Sequence, residues 1–322
     1  MTDMIEAAGA LFQRPLDRVR NVYVASEAGA SENEVHTNDA FSEKWVALGQ
    51  EADDQDEAWK RMQFDWYLRS YGFVTEAELT EFLKTRTMLL DAGCGLGYKA
   101  AWLARLAPHA TVVAMDLSES IFVAGERYRD LPNLLFVKGD IARTPFRDGA
   151  FDLVSCDQVL HHTDNPPATV REFSRILAPG GVLNTYVYAK KALPRELLDE
   201  HFREASKSMT NDEIWSLSEQ LTELGRTLSD LKIEIDVPDM PALGIKGGPQ
   251  DLQRFIYWNF IKCFWNDDVG YEVSKSTNFD WYAPSTAFRY SRDEFIGMVE
   301  DAGLRSDFLH SEEACHTGRF EK

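Results

Sequence analysis

LLDAGCGLGYKAAWLARL, residues 89–106, is the stretch on which the fold turns. An apolar run breaks into a glycine-rich turn and then into a helical pattern. Gly93, Gly95 and Gly97 let the backbone adopt positive φ and approach a ligand without a Cβ clash. The unbonded N–H groups of the following helix then face whatever occupies the turn. A dinucleotide is the first candidate, because its pyrophosphate rests against a turn of this kind. Its fingerprint, G-x-G-x-x-G, needs a small residue at position 98, where this chain has Tyr98. The fingerprint fails there, so the ligand must be chosen by the residues that follow.

Outward from the turn, residues 88–188 alternate apolar β-rich runs with helical patterns. The runs are MLLDAG, TVVAMDL, NLLFVKGD, FDLVSCD and GVLNTYVYA, separated by KAAWLARLA, SESIFVAGERYRD and NPPATVREFSRILAPGG. That rhythm predicts an α/β chain with a parallel, doubly wound sheet buried on both faces. Residues 1–87 lack it and read as a helical cap, with an acidic run at 53–57 and an aromatic-rich segment from Trp59 to Phe73. Residues 191–280 break the rhythm again. They hold two long helical patterns, the turn-rich VPDMPALGIKGGPQ and an aromatic helix over 252–265. Residues 281–322 return to the core as helix, strand, strand. Ser291 and Glu294 make a capping box for that helix, and Gly303 is placed to end it.

Composition bounds the function. The 322 residues are 44% hydrophobic, and the formal charge of −19 repels phosphate backbones and anionic membranes. Neither nucleic acid nor membrane is therefore expected as a partner, and a small-molecule substrate is. Cys94, Cys156, Cys263 and Cys315 form no C-x-x-C pair, which argues against structural zinc and a disulfide framework. The opening MTDMIEAAGALFQRP is too acidic for a signal peptide, and a cytoplasmic location is the expectation. A homodimer stays open.

Four motifs in register, LDAGCGLG (90–97), AMDLSES (114–120), KGDIARTPF (138–146) with FDLVSCDQVLHH (151–162), and LAPGG (177–181), carry a resemblance. Residues 88–190 with 291–322 resemble a class I S-adenosylmethionine-dependent methyltransferase, of the branch that includes the ubiquinone and menaquinone biosynthesis enzymes. The resemblance implies a Rossmann-like seven-stranded sheet, here with an N-terminal helical cap (1–87), a core (88–190), a helical lid insertion (191–280) and a C-terminal completion (281–322). It implies S-adenosyl-L-methionine as cofactor. Gly93, Gly95 and Gly97 would leave room for its methionine part, and Asp91 would hold its ammonium. Asp116, followed by Leu117, would accept the ribose hydroxyls. Asp140 would accept the adenine amine while Ile141 packs on the ring. Cys156 and Asp157, ending the fourth strand, complete the cofactor set. Cys94 and Cys156 read as small buried residues rather than nucleophiles, since no partner lowers their pKa.

His161 and His162 follow the fourth strand, where the resemblance places the reacting methyl. One of them would be a general base near neutral pH, or both are features of the fold. The structural reading carries more weight for His162, and the two readings balance for His161. Some relatives carry Glu-x-x-Glu-His here and bind a divalent ion. Gln158, His161 and His162 lack those carboxylates, so no metal is expected. Phe255, Trp258, Tyr282 and Arg289, with Gln158, are candidate substrate contacts under an aromatic lid. The expected function is methyl transfer to an O, N or C nucleophile of a small, apolar or cyclic molecule. A non-catalytic cofactor-binding subunit, and other chemistry on the same cofactor, remain as alternatives.

Overall fold

The computed structural model describes residues 11–25, 37–39, 41–42 and 55–322. The N-terminal stretch 1–10 and the side chains of the acidic run lie outside the described residues. The chain forms two compact units, residues 1–188 with 288–322, and residues 189–287. Each follows from its own local chemistry.

The strands are β1 (Asp17–Val19), β2 (Val22–Val24), β3 (Met88–Ala92), β4 (Thr111–Asp116), β5 (Leu134–Lys138), β6 (Phe151–Cys156), β7 (Leu177–Ala189), β8 (Glu234–Val237), β9 (Gly248–Asp251), β10 (Arg289–Tyr290), β11 (Arg305–Ser311) and β12 (Cys315–Glu321). The helices are α1 (Gln55–Ser70), α2 (Glu76–Leu83), α3 (Tyr98–Leu106), α4 (Ser120–Arg127), α5 (Pro166–Ile176), α6 (Leu193–Ser206), α7 (Asn211–Asp230), α8 (Leu252–Asn259), α9 (Gly270–Tyr282) and α10 (Arg292–Glu300).

The first unit holds a sheet in the order β1-β2-β5-β4-β3-β6-β7-β12-β11, with β10 paired to β7. β3 to β7 run parallel, whereas β12 is antiparallel to both β7 and β11. The expected seven strands are the stretch from β5 to β11. Successive residues of the central strands point to opposite faces. Leu90, Ala92, Val113 and Met115 join Phe146, Phe173 and Phe295 on one side, while Leu89, Val112 and Ala114 join Leu79, Ala101 and Trp102 on the other. Both faces are covered, which is why these strands are apolar throughout.

The N-terminal region is more than helical. β1 and β2 form a hairpin, and β2 extends the sheet edge by pairing parallel with β5, Val22 opposite Phe136. Arg20 turns the chain there at φ 57. Strands of three residues are too short for their alternation to stand out in a sequence. The tail matches expectation: Ser291 and Glu294 complete a capping box on α10, and Gly303 follows that helix at φ +79.

The second unit holds α6 to α9 and the hairpin β8–β9. α7 and α9 meet where Trp215 stacks on Phe279, ring centroids 3.9 Å apart. The turn-rich stretch, residues 237–250, supplies the connection between the arms of the hairpin and most of β9. The aromatic helix expected over 252–265 stops at Asn259. Its continuation is held open by side-chain amides. Gln253 Nε2 donates to the Cys263 carbonyl at 2.9 Å, and the Phe264 amide donates to Asn278 Oδ1 at 2.7 Å. These bonds satisfy backbone groups that another helical turn would have used. Among the described residues no helix is long and apolar enough to cross a membrane.

Gly225 shows how tightly this unit is packed. A Cβ there would lie 2.4 Å from the Cys263 carbonyl oxygen, a backbone atom already fixed by Gln253. Ala in place of Gly gains about 1 kcal/mol of helix propensity, but overpacking costs about 1–3 kcal/mol. The clash should win, because nothing flexible can yield. Gly225→Ala should lower the denaturant midpoint of the chain, whereas an unchanged or raised midpoint would show that α7 shifts freely.

Candidate functional site

Strand order reverses at β3, which has β4 on one side and β6 on the other. The carboxyl ends of strands at such a reversal open a crevice. The glycine turn lies there, with Gly93, Gly95 and Gly97 at φ +81, +54 and +77. A Cβ on Gly93 would sit 2.5 Å from Val159 Cγ2, so the turn needs glycine for space as well as for conformation. The end of β4 holds the turn in place. Gly93 N donates to the Met115 carbonyl at 2.8 Å and Gly95 N to Asp116 Oδ2 at 2.7 Å. Asp116 Oδ1 accepts from the amide and hydroxyl of Ser118, at 2.8 and 2.6 Å. Asp116 is thus a brace for the turn as well as a candidate ligand acceptor.

One pocket collects much of the expected cofactor set. Gly93, Asp116, Leu117, Asp140 and Ile141 line it together with Gln158, Val159 and His162. Asp140 Oδ1 accepts from the Ala142 amide at 2.8 Å, and its Oδ2 accepts from Arg143 Nε at 2.9 Å. Thr37, Asn38, Phe41, Ser118 and Thr163 also line the pocket and were not singled out in the sequence. Thr37, Asn38 and Phe41 fall in a stretch without periodicity, which gives no residue-level signal. Ser118 sits inside a quoted motif and could have been found from it.

Cys156 is a correction. It is wholly buried in the core cluster beneath β6, and burial pushes its thiol well above the ordinary range. Asp157 does not line the pocket either. Its Oδ1 accepts from Tyr71 Oη at 2.7 Å, and its Oδ2 is paired with the Lys99 ammonium and accepts from Gln158 Nε2 at 3.3 Å. The neighbouring Gln158 takes φ 65, a strained conformation for a residue with a side chain. Tyr67 on α1, four residues before Tyr71 in the turn that follows that helix, shares a hydrogen bond with Ser155 Oγ at 3.1 Å and accepts from Asn184 Nδ2 at 3.0 Å. This buried polar network was invisible in sequence, since its members come from α1, α3, β6 and β7.

The two histidines lie in different surroundings. His162 lines the pocket, with its ring 5.0 Å from Phe41 and 5.6 Å from Tyr188. His161 has no exposed surface and packs 3.8 Å from Tyr188 and 5.4 Å from Tyr186. Its carbonyl accepts from the Phe288 amide at 2.8 Å, so the first unit resumes beside the strand end it left at Tyr188.

The expected substrate residues scatter. Arg289 lies in β10, against β7. Tyr282 is a correction: it is buried inside the second unit, and its hydroxyl donates to Asp199 at 3.2 Å. Asp199 also holds the buried Arg195 at 2.7 Å, so that hydroxyl is committed to a structural pair. Phe255 packs on Phe260 and Trp258 on Tyr257, both within the second unit and both partly exposed.

Asp91 is the least settled charge. It is buried at the end of β3, and Oδ2 has no hydrogen-bond partner among the described residues. Burial raises its pKa to about 7, although the Lys99 ammonium pulls it down. In the unfolded chain an aspartate titrates near about 3.9. Between those values the native state holds the extra proton, so the carboxyl is increasingly costly to stability as pH rises from about 4 to about 7. Wild type should therefore lose stability relative to Asp91→Asn between pH 5 and pH 8, while its affinity for an ammonium-bearing ligand rises. Denaturant midpoints and calorimetry at the two pH values test this, and a pH-independent difference would rule it out.

Comparison with known proteins finds similarity over part of the first unit. Residues 90–185 match the family described as a methyltransferase domain. An uncharacterized chloroplastic methyltransferase of Arabidopsis thaliana is 35% identical over 109 residues, covering 31% of this chain and 31% of that protein. Demethylmenaquinone methyltransferase of Staphylococcus saprophyticus is 32% identical over 103 residues, 31% of this chain and 44% of that one. Malonyl-[acyl-carrier protein] O-methyltransferase of Legionella pneumophila is 36% identical over 99 residues, 30% and 34% respectively. The chain thus spans less than half the length of these relatives, and the second unit lies beyond residues 90–185 of the family match. The glycine turn met first in the sequence lies within the residues that match a methyltransferase domain, 90–185.

Proposed function

We propose that the protein transfers a methyl group to an oxygen, nitrogen or carbon nucleophile of a small molecule. The observation that carries this is the shared pocket, lined by the carboxylates Asp116, which ends β4, and Asp140, two residues past β5, by apolar Leu117 and Ile141, and by His162. Such a wall suits a nucleoside: a carboxylate accepts from hydroxyls or an exocyclic amine while the aliphatic neighbours cover ring faces. Asp91, buried in β3 and absent from that lining, keeps a bare Oδ2 that suits an ammonium. S-adenosylmethionine supplies, when bound, a methyl made electrophilic by a cationic sulfur.

This chain's residues then have three tasks. Asp91, Asp116 and Asp140 hold and orient the cofactor. Phe41, Val159 and Ile141 exclude water, so that alignment and desolvation provide most of the rate. His162 takes the proton that an oxygen or nitrogen nucleophile must lose, and a nucleophile already ionised needs no base. Acceptor choice is assigned to residues outside the matched domain, with Phe255 and Trp258 of the second unit as its apolar contacts and an acceptor of apolar or cyclic character. No part of this role falls to Tyr282.

Production of S-adenosylhomocysteine with an acceptor panel tests the reading, and a protein that binds the cofactor yet never turns over would be a binding subunit. His162→Ala should lower turnover by about 10²–10⁴ with affinity for S-adenosylhomocysteine nearly intact, and should remove the limb of the pH–rate profile near neutrality. His161→Ala should instead lower the melting temperature. If His162→Ala turned over normally when folded, the base would have to be sought elsewhere.

A further inference from the structure

Inside the second unit, basic side chains gather round aromatic rings, in a chain with 53 acidic residues against 34 basic ones. Lys262 follows the interruption after α8, and only 6% of its surface is exposed. Its ammonium lies 4.9 Å from the Trp281 ring centroid, 5.2 Å from that of Tyr257 and 5.6 Å from that of Phe264. Arg254, partly exposed on α8, places its guanidinium 5.7 Å from the Tyr257 centroid and 5.8 Å from the Phe264 centroid. Lys262 and Arg254 therefore share two rings. The buried Arg195 adds a third cation, 5.5 Å from Tyr257 and 5.1 Å from Trp281.

Only one of the three has a counter-ion. Asp199 is paired with Arg195 and also accepts from Tyr282. Among the described residues, neither Lys262 nor Arg254 makes an ion pair through its side chain. Lys262 Nζ donates to Tyr257 Oη at 3.1 Å, and Arg254 Nη2 donates to the Trp265 carbonyl at 3.2 Å. Those acceptors are neutral, so they serve a donor and leave the charge. Two acids of the same segments are engaged otherwise: Asp251 caps α8 through the Arg254 amide, and Asp267 accepts from Trp265 Nε1. Ring faces attract a cation without cancelling it, and a buried charge lacking a counter-ion is expensive. The Cys263 thiol lies in the combined field. Burial pushes its pKa up to about 11, while Arg195, Lys262 and Arg254 each pull it down. Such a grouping costs the protein stability by itself, and an anion relieves it.

We infer that Lys262 and Arg254 receive the oxyanion of a small cyclic acceptor, a carboxylate or phosphate group, beside the rings of Tyr257 and Phe264. The inference rests on the reading that the second unit chooses the acceptor, and it sharpens that reading, because the acceptor is then an anion. A guanidinium matches the two oxygens of such a group, and the buried ammonium supplies a charge little screened by water. Arg254 keeps contact with solvent, which gives the group a way in. Trp258, partly exposed beside Tyr257, offers apolar surface to the body of the same molecule.

Calorimetry on the full chain with benzoate, phenyl phosphate and benzamide separates charge from ring shape, and carboxylate from phosphate. Wild type should bind one of the two anions about 10–100-fold more tightly than benzamide, the worth of hydrogen bonds between charged groups. The tighter anion identifies the group. Lys262→Met keeps the stem and strands no carboxylate, so its melting temperature should be unchanged or raised while the preference disappears. Arg254→Met, at a partly exposed position, should lower the preference several-fold, and it decides the matter if Lys262→Met does not fold. Equal binding of all three probes by wild type would overturn the inference, as would a wild-type preference that survives in the folded variants. Production of S-adenosylhomocysteine is measured separately, with hydroxylated and amino-bearing forms of the preferred anion as acceptors. If the anions bind as expected and none of those forms is methylated, the oxyanion site stands and the methyl-transfer reading falls.

Discussion

Everything at the site depends on how the glycine turn is tied to the end of β4. Two amides, Gly93 and Gly95, are held by the Met115 carbonyl and the Asp116 carboxylate. Those bonds fix where the backbone leaves β3, and hence where α3 begins. Without side chains of their own, the glycines cannot hold the loop by packing. A polar clamp from the neighbouring strand does it, and the carboxylate in that clamp is one that also faces the pocket. Turn geometry and ligand geometry therefore share an atom set, and a change at Asp116 alters both.

The same economy extends inward, at a cost. Asp91, Asp157 and Lys99 are buried together beneath the crevice, and burying charge is expensive unless each partner is satisfied. Asp157 is fully served by neighbours on α1, α3 and the adjoining turn, whereas Asp91 is left with a bare oxygen. The strained Gln158, next to Asp157, belongs to the same local compromise.

Much of this was legible in the sequence because it is written in short-range patterns. β3 to β7 announce themselves as apolar runs, the capping box on α10 as Ser291 and Glu294, and the pocket acids as residues that end strands. What stayed hidden is long-range. Lys99 looks like any helical lysine until α1 brings Tyr71 to Asp157 from 86 residues away. The stop after Asn259 depends on Gln253 and Asn278 reaching backbone groups of another segment. Tyr282 and Trp258 are both aromatic in sequence, and only burial tells the committed hydroxyl from the half-open indole. The hairpin β1–β2 is too brief to show a period at all, and its pairing with β5 is a tertiary fact.

The place where the first unit is interrupted has a further meaning. The chain departs after Tyr188, which packs on His161, and resumes at Phe288, whose amide bonds the His161 carbonyl. Departure and return share one anchor, so closing the sheet requires no memory of what lies between them. An intervening segment of another length would change loop-closure entropy only slowly and would leave β7, β10 and β12 in register. In this arrangement the second unit behaves as a cassette. Its length and sequence can change without altering how the sheet of the other unit closes.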